Sequence, residues 1–517
     1  MTYNLLTDPV ITVRTASGTE RVSLPRLFVL LMGDAVRDFP ALRPHQAPAW
    51  HAFPVQLAAL ATEGGAVPED AAGWAAALRR LTPDWPADEP WSLVARPDAP
   101  ALLQPAIPAG GLKAYGNTFA SPDELDTLVT AKNHDLKSAR MRAAAPEEWL
   151  FALATVQATE GYGGKSNYGV MRMNGGYGSR TFLGIAPAGG SGARFRRDLD
   201  ALRRHGSRIF EDATGFGERR KAKLLWLEPW DGKTPLDVDC LHPLCLEICR
   251  RLRLEMAADG ALLARGTGTT AARVAADQLK GLAGDPWTPV EAGKSGERKA
   301  LSITGDGFGW RRMAELIFGA GRDRTFRKPL LARVNQADGA AEIVAAALAR
   351  GQGKTEGFHS RRIPVTEDRA LRALAEEDAA LRDLAARMTT AAGTAASRCL
   401  RPALFLLFQK GPERVQLDRR STVQQVEPWM QRLDARIDAA FFAHLWRGAG
   451  DADAALAAER IWSAFLHTAA SAVFEQAAEA APSTEQRRLL AAQKARDLLR
   501  FALRKNLPLD LEETADG

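Results

Sequence analysis

A change of composition near residue 366 is the feature that most constrains the fold. From Thr366 onward, glycine and strand-forming segments give way to Ala, Leu, Arg and Glu. Apolar residues such as Leu371, Leu374 and Leu381 recur at near-heptad steps, which is typical of amphipathic helices. The pattern predicts four helices, over residues 366–408, 422–447, 453–480 and 484–505. Long amphipathic helices with short links favour an antiparallel four-helix bundle.

Residues 1–365 carry a different pattern, in which strand and helix signals alternate. Apolar alternation on both sides of residues 16–19 predicts a hairpin. Helices are predicted over 25–36, 49–63, 69–81, 121–129, 146–156, 241–254, 269–282, 310–318 and 340–350. We therefore expect an α+β protein: a large mixed α/β N-terminal domain over 1–365, followed by a C-terminal four-helix bundle over 366–517.

The bulk composition argues against two classes of protein. No apolar run approaches the roughly eighteen residues of a membrane span, so no membrane partner is expected. The start of the chain lacks a basic segment followed by an apolar one, so no secretory signal is predicted. Four cysteines in a chain of 517 residues favour a reducing, cytoplasmic setting. A net charge of +6 permits a polyanionic partner without requiring one.

Two glycine clusters lie close together, at residues 161–164 and 175–178, and Lys165, Arg172 and Arg180 stand between and beside them. Glycine lets another molecule approach the main chain closely. Bare N–H groups with cations and tyrosine rings nearby suit the backbone or a groove of nucleic acid. A pair of β-turns joining short strands is an equally simple interpretation.

Two Gly-Lys segments resemble a phosphate-binding P-loop, and each lacks a required residue. Residues 163–166 need a glycine at position 159, which is Thr159, and a helical segment precedes them. Residues 351–355 need a glycine at position 348, which is Leu348, and a predicted helix again precedes them. A nucleotide-dependent enzyme using these loops is therefore the weaker alternative, and no catalytic residue is predicted.

No metal site or cofactor is predicted. Cys240, Cys245 and Cys249 contain no C-x2-C pair, and helical periodicity around them predicts buried core cysteines. Glu356 and His359 resemble half of a di-iron site, but no second half is present in the sequence.

Two basic segments are candidates for contact with a partner. Residues 130–142 are polar and basic without a helix or strand period, so they form either a loop that orders on a partner or a solvated loop. In the last predicted helix, Arg496, Arg500 and Arg504 lie four residues apart and form one cationic stripe. Phosphate contact and simple solvation are equally compatible with that stripe.

Taken in order, these segments resemble the CasA family, the large subunit of the type I-E Cascade complex, which is a CRISPR surveillance complex. The resemblance covers nearly the whole chain and rests on residues 4–9, 130–135, 161–178, 287–289 and 351–359 and on the terminal helices. It implies a non-catalytic protein that recognises the protospacer-adjacent motif (PAM) in double-stranded target DNA and starts strand separation for the guide RNA. The implied partners are the guide RNA ribonucleoprotein, the backbone, small and 5′-handle-binding subunits, and a recruited helicase–nuclease. A purely structural subunit is the remaining alternative.

The resemblance also implies roles for particular residues. A glycine loop against the minor groove corresponds to Gly161, Tyr162, Gly163, Gly164 and Lys165. Lys280 is the nearest candidate for a lysine finger that enters the same groove. The wedge loop that separates the first base pairs corresponds to Gln352, Gly353, Lys354, Thr355 and Glu356, with the Gln352 amide as first choice. The loop that docks near the 5′ end of the guide RNA corresponds to Lys132, Asn133, His134 and Lys137.

Overall fold

The structure is a computed structural model and describes residues 2–108, 111–130, 144–173, 178–206, 215–217, 221–319, 321, 324–335, 338–351, 354–409, 416–481 and 485–509. The chain divides into two compact units. The first comprises residues 1–308, 319–334 and 341–364, and the second comprises 309–318, 335–340 and 365–517. A domain boundary at 365–366 stays our prediction.

The described strands of the first unit form several small sheets. Their bounds are β1 Ile11–Thr15, β2 Gly18–Val22, β3 Asn117–Phe119, β4 Phe182–Pro187, β5 Ala222–Leu224, β6 Leu241–Leu246, β7 Arg251–Met256, β8 Leu262–Thr267, β9 Val290–Gly293, β10 Arg298–Ala300, β11 Arg324–Arg327, β12 Ala341–Gly351 and β13 Lys354–Val365. β1 and β2 form the predicted hairpin. Three-stranded sheets have the orders β3-β8-β7, β10-β9-β11 and β13-β12-β4, and β5 pairs with β6 in parallel.

Helices of the first unit pack around a core rich in aromatic side chains. Their bounds are α1 Leu24–Met32, α2 Ala47–Ala61, α3 Ala71–Arg79, α4 Pro146–Thr159 and α5 Ser191–His205. α2 is buried on nearly all sides, and its Trp50 ring meets Phe151 of α4 edge-on, with centroids 4.7 Å apart. Full burial of each such ring contributes about 2–3 kcal/mol. At the start of α4, the Glu148 carboxylate accepts the Ala145 N–H at 2.6 Å. The end of α4 at Thr159 determines where the glycine segment begins.

Four predicted helices of this region are wrong. Residues 121–129 contain only the short 3₁₀ turn Pro122–Glu124, and 269–282 contain only the turn Asp277–Leu279. Residues 241–254 form β6 and β7, and residues 340–350 lie in β12. β12 is rich in alanine, which favours a helix, but it pairs with the buried strand β4 over six residues. Tertiary pairing therefore overrides local propensity there, and short apolar runs do not distinguish the two structures by period alone.

The second unit is helical. Its bounds are α6 Trp310–Phe318, α7 Asp368–Ala375, α8 Ala379–Thr394, α9 Arg401–Phe408, α10 Arg420–Arg447, α11 Ala452–Ala480 and α12 Glu485–Asn506, with a π-helical stretch Ala395–Leu400 between α8 and α9. The predicted helix over 366–408 is interrupted after α7, where Glu377 has φ 53° and the Asp378 carboxylate caps α8. In the core, Trp462 of α11 lies 5.6 Å from the Phe441 ring of α10 and donates to the Met388 carbonyl at 2.9 Å.

The predicted fold class is confirmed: a mixed helix and sheet region precedes a helical C-terminal region. The described residues after 365 contain six α-helices, so a four-helix arrangement stays a prediction. None of the described helices is both long and apolar enough to cross a membrane.

Candidate nucleic-acid interface

The first glycine cluster forms a partly exposed turn after α4, called here the glycine turn (residues 161–168). The Gly163 N–H donates to the Asn167 carbonyl at 2.7 Å, and the Asn167 N–H donates to the Gly164 carbonyl at 3.0 Å. Gly164 has φ +113°, and a Cβ atom built on it would meet nothing within 4 Å. The turn therefore presents main chain to open space, in a conformation that only glycine adopts without strain.

Backbone contacts hold the glycine turn in place. A Cβ atom on Gly169 would lie 2.6 Å from the carbonyl carbon of Gly161, so these two segments touch through their main chains. Arg250, which precedes β7, donates to the carbonyls of Tyr168 and, at 3.4 Å, of Gly161. The Tyr168 hydroxyl donates to the Thr270 carbonyl at 3.2 Å. The protein therefore determines the shape of the turn without a ligand.

The outer side of the turn combines a cation with aromatic surface. Gly163 and Lys165 are exposed, while Tyr162 and Tyr168 are half-buried. The two tyrosine rings meet edge-on with centroids 5.8 Å apart. Accessible main chain, one ammonium group and ring edges form a surface that a polyanion can approach closely.

Arg172 and Arg180, which flank the second glycine cluster, do not belong to this surface. Arg172 is 1% exposed and pairs with Glu247, while Arg180 is 2% exposed and donates two hydrogen bonds to Asp285 at 2.6 and 2.8 Å. Their expected role beside a phosphate backbone is therefore wrong. Both side chains anchor the glycine segment to the core, because a buried guanidinium requires a buried partner.

Lys280 lies after a short turn and not on the predicted helix. It has φ 50°, and its ammonium group pairs with the Glu297 carboxylate, with both side chains about half exposed. The hydrogen bond and charge of Lys280 lower the pKa of Glu297 below its usual value, so that carboxylate is ionised at neutral pH. A Cβ atom on the next residue, Gly281, would lie 2.7 Å from the carbonyl carbon of Met173. Lys280 therefore adjoins the chain that leads into the second glycine cluster.

The predicted wedge loop is the end of a β-hairpin. β12 ends at Gly351, β13 begins at Lys354, and two residues connect the strands. Thr355 is only 4% exposed. The Glu356 carboxylate accepts the Gly305 N–H at 2.8 Å. These two side chains are directed at the protein, which leaves positions 352–354 as the candidates for contact with a duplex.

Several predicted site residues lie outside the described part of the chain. They are Lys132, Asn133, His134 and Lys137 of the docking loop and Gln352 and Gly353 of the wedge loop. Lys354 is described only through its main chain. Their roles stay predictions.

The arginine stripe on α12 is not uniform. Arg496 donates to both carboxylate oxygens of Glu475, at 2.7 and 2.6 Å. That pairing raises the pKa of Arg496. Arg500 and Arg504 are exposed, and no ion pair of either is found within the described residues. Either of these two arginines can therefore meet a phosphate without breaking a described ion pair, although the Arg500 charge also acts on the Glu475 carboxylate.

The cysteines and the Gly-Lys segments can be compared with the metal-site and P-loop geometries that their sequences resemble. Cys245 on β6 and Cys249 in the connection between β6 and β7 are buried as expected, and burial raises their pKa values to about 11 and about 12. No group of metal-binding side chains is found among the residues that the structure describes. A helix leads into residues 163–166, and a second strand follows residues 351–353, so neither has the strand–loop–helix geometry of a P-loop.

Sequence reasoning missed a group that joins the glycine turn to the hairpin. Glu160 is 3% exposed, and its carboxylate accepts from Arg350 Nη1 of β12 at 2.9 Å. The hydroxyl of Thr127 donates to the other carboxylate oxygen. The available signal was an isolated acid directly before a glycine cluster, but its partners are 33 and 190 residues away along the chain.

Comparison with known proteins gives a consistent result. The family model described as CRISPR-associated protein Cse1 matches residues 226–473. The structure resembles Cse1 from Acidimicrobium ferrooxidans, with a TM-score of 0.67, 17% identity and 98% of each chain covered. It also resembles Thermus thermophilus CasA (Cse1), with a TM-score of 0.60 and 14% identity over 98% of this chain and 99% of that chain.

A third similar structure belongs to an assembly. A chain of a CRISPR RNA-guided surveillance complex matches with a TM-score of 0.59 and 14% identity, covering 96% of this chain and 99% of that chain. No curated protein matches the sequence. At these identities the structural matches show a shared fold.

Proposed function

Because this chain belongs to the CasA/Cse1 family, we propose that it is the large subunit of a type I-E Cascade complex. In this role it recognises the PAM in double-stranded target DNA, starts opening the duplex for guide RNA pairing, and recruits the helicase–nuclease. The observation that carries the proposal beyond family membership is a partly exposed, pre-shaped glycine turn that buried contacts join to the strands β12 and β13, which are separated by two residues.

The glycine turn is the proposed reader of the PAM. Its main chain at Gly163 and Gly164 enters the minor groove, where a side chain would clash, and Lys165 adds attraction to phosphate. The minor groove carries a degenerate pattern, and phosphate contacts carry no sequence information. Weak recognition of this kind suits a protein that must sample many short motifs in a genome and dissociate from most of them.

The hairpin end is the proposed wedge. Inserting a side chain between base pairs costs a few kcal/mol of unstacking per step, which pairing between guide and target then offsets. β12 and β13 suit this role because β12 is held in a three-stranded sheet with β4. Gln352 stays our first choice for the inserted side chain, with Lys354 second.

Other predicted residues act around these two elements. Lys280 is the proposed lysine finger and exchanges Glu297 for a phosphate or base edge when DNA binds. The docking loop meets the backbone subunits near the guide RNA, and Arg500 and Arg504 contact phosphates. Nothing in this role requires a catalytic group, metal or cofactor in this chain. We propose that the complex acts in the cytoplasm.

A band-shift assay with the assembled guide complex tests the proposal. PAM and non-PAM duplexes of equal length are compared, with and without this chain. We expect the preference for the PAM duplex to require the chain. If the chain raises affinity for both duplexes equally, it binds DNA without reading the PAM. Unchanged DNA affinity after mutation of both loops would favour a purely structural subunit. If the complex selects the PAM without it, the proposed function is wrong.

A further inference from the structure

Glu160 is a buried carboxylate at the start of the glycine turn. Its side chain is 4% exposed and meets Arg350 at 2.9 Å, with Arg250 at 4.0 Å on the same oxygen. Its other oxygen accepts the hydroxyl hydrogen bond of Thr127. A carboxylate withdrawn from water in this way depends on its partners, because removing one of them leaves a buried charge only partly compensated.

The partners of Glu160 come from separate parts of the first unit. Arg350 is the penultimate residue of β12, next to the hairpin end. Arg250 also donates to the carbonyls of the glycine turn at Gly161 and Tyr168. The carboxylate therefore touches the hairpin directly and supports the glycine turn through a shared arginine.

A second contact closes this arrangement. Thr355, near the start of β13, is 4% exposed and places its hydroxyl 3.5 Å from the Thr127 carbonyl. Thr127 in turn donates to Glu160. Both strands of the hairpin are thus linked to one carboxylate within a few residues of the hairpin end, through Arg350 on β12 and through Thr355 and Thr127 on β13.

We propose that Glu160 is a positioning residue that fixes the hairpin end relative to the glycine turn. On this view, the distance between groove contact and wedge insertion is determined by the protein, so reading of the PAM places the wedge at the adjacent base pairs. The inference rests on the proposed function and adds a residue that contacts no DNA itself.

The test uses the assembled complex containing the full chain. Glu160→Gln removes the ion pair but keeps an oxygen for Thr127, and Arg350→Gln removes the other side of the pair. The matched control is Glu342→Gln, which breaks the ion pair with Arg362 that also joins β12 to β13 but lies nine positions from Gly351 along β12. Opening is measured by fluorescence of a base analogue beside the PAM, and affinity is measured on intact and pre-opened duplexes.

We expect each single variant to slow opening roughly tenfold, and the double variant to be no slower than the slower single, because contacting residues couple. A pre-opened bubble should restore affinity, and discrimination between PAM and non-PAM bubbles should persist. Glu342→Gln should change none of these values. If Glu160→Gln does not fold, Arg350→Gln should still slow opening, and Arg350→Lys, which keeps the charge, should restore most of the rate.

Three results would overturn the inference: Glu160→Gln behaves as Glu342→Gln does, the two single effects multiply in the double variant, or a folded variant is not rescued by the bubble. A merely structural role predicts the last result, since it would weaken binding to both substrates alike. Failure of the proposed function is distinct, because the unaltered complex would then show no PAM preference. If the unaltered complex prefers the PAM duplex while the Glu160 and Arg350 variants open DNA at the normal rate, only this inference fails.

Discussion

The candidate DNA contacts of the first unit differ in kind from those of the helical second unit. The glycine turn is shaped by main-chain packing and by Arg250, and the hairpin is linked to it through buried Glu160. Arg500 and Arg504, by contrast, stand on the exposed face of a single helix. One region offers a defined shape and the other offers charge.

This difference predicts two kinds of contribution to binding. A pre-shaped element selects between DNA sequences, and its loss affects a PAM duplex more than other duplexes. Exposed cations attract any duplex, and their effect is screened by salt. Substitutions in the two regions should therefore separate sequence preference from salt dependence.

The largest effect is expected at the glycine turn. Gly164→Asp places a side chain and a negative charge in the open space that the groove would occupy, at φ +113°. Affinity for a PAM duplex should fall roughly 100-fold, because groove contact is lost and phosphate is repelled. Band shifts with PAM and non-PAM duplexes measure the loss.

Gly18→Asp is the control for the backbone strain and the added charge of Gly164→Asp. Gly18 lies at the β1–β2 turn with φ +130°, and nothing lies within 4 Å of a Cβ built there. Its substitution imposes a similar strain and adds the same charge in a turn that is not part of the proposed reader. Equal losses in the two variants would mean that the glycine turn has no reading role.

A smaller effect, confined to one step, is expected at the hairpin end. Gln352→Ala with Lys354→Ala should leave initial PAM contact intact and slow opening roughly tenfold or more, since unstacking costs a few kcal/mol. Thr355 is retained because it is buried. A bubble beside the PAM should rescue this variant and not Gly164→Asp.

The control for lost charge at a turn is Lys294→Ala with Ser295→Ala, in the connection between β9 and β10. It removes one lysine from a different turn of the same unit. If the bubble rescues both the Gln352→Ala, Lys354→Ala variant and Gly164→Asp, or neither of them, the assignment of separate reading and wedging roles is wrong.

The sequence was most informative where one element decides its own structure. The helices after residue 366 carry long stretches of helical period, and the short Trp310–Phe318 helix is strongly amphipathic, so the period of apolar residues indicates where helices lie. The interruption after α7 was not predicted. Glu377 adopts the left-handed conformation there, and a glutamate gives no sign of this in the sequence, whereas a glycine would.

Prediction failed where distant partners decide the structure. β12 is alanine-rich, yet it forms the central strand between β13 and β4, and β4 lies more than 150 residues earlier. Distant partners also decide the candidate site. Arg172 and Arg180 resemble phosphate ligands in sequence, but they form buried ion pairs with Glu247 and Asp285. A turn at residues 161–164 was predictable from glycine alone, whereas its contact with DNA stays a prediction.

On the helical side of the comparison, Arg500→Gln and Arg504→Gln should change salt dependence more than sequence preference. The slope of log K against log salt should shrink by roughly 0.9 for each phosphate contact removed. Arg496→Gln is the internal control, because Arg496 already pairs with Glu475. A slope that shrinks equally for all three would contradict the distinction between paired and unpaired arginines, and an unchanged slope would assign the stripe to solvent.

The smallest expected effect tests whether Lys280 belongs with the shaped region or contributes only charge. Glu297→Gln releases the Lys280 ammonium from its pair, which is half exposed and therefore contributes little to stability. If Lys280 enters the groove, affinity for PAM duplexes should rise roughly two- to threefold, and the salt slope should steepen by up to about 0.9.

The control is Glu255→Gln, which releases Arg265 from a pair of similar exposure on β7 and β8. Because both variants add one positive charge, equal gains would show a general charge effect. A gain for Glu297→Gln alone, larger on PAM than on non-PAM duplexes, would place Lys280 beside the glycine turn as a reading residue.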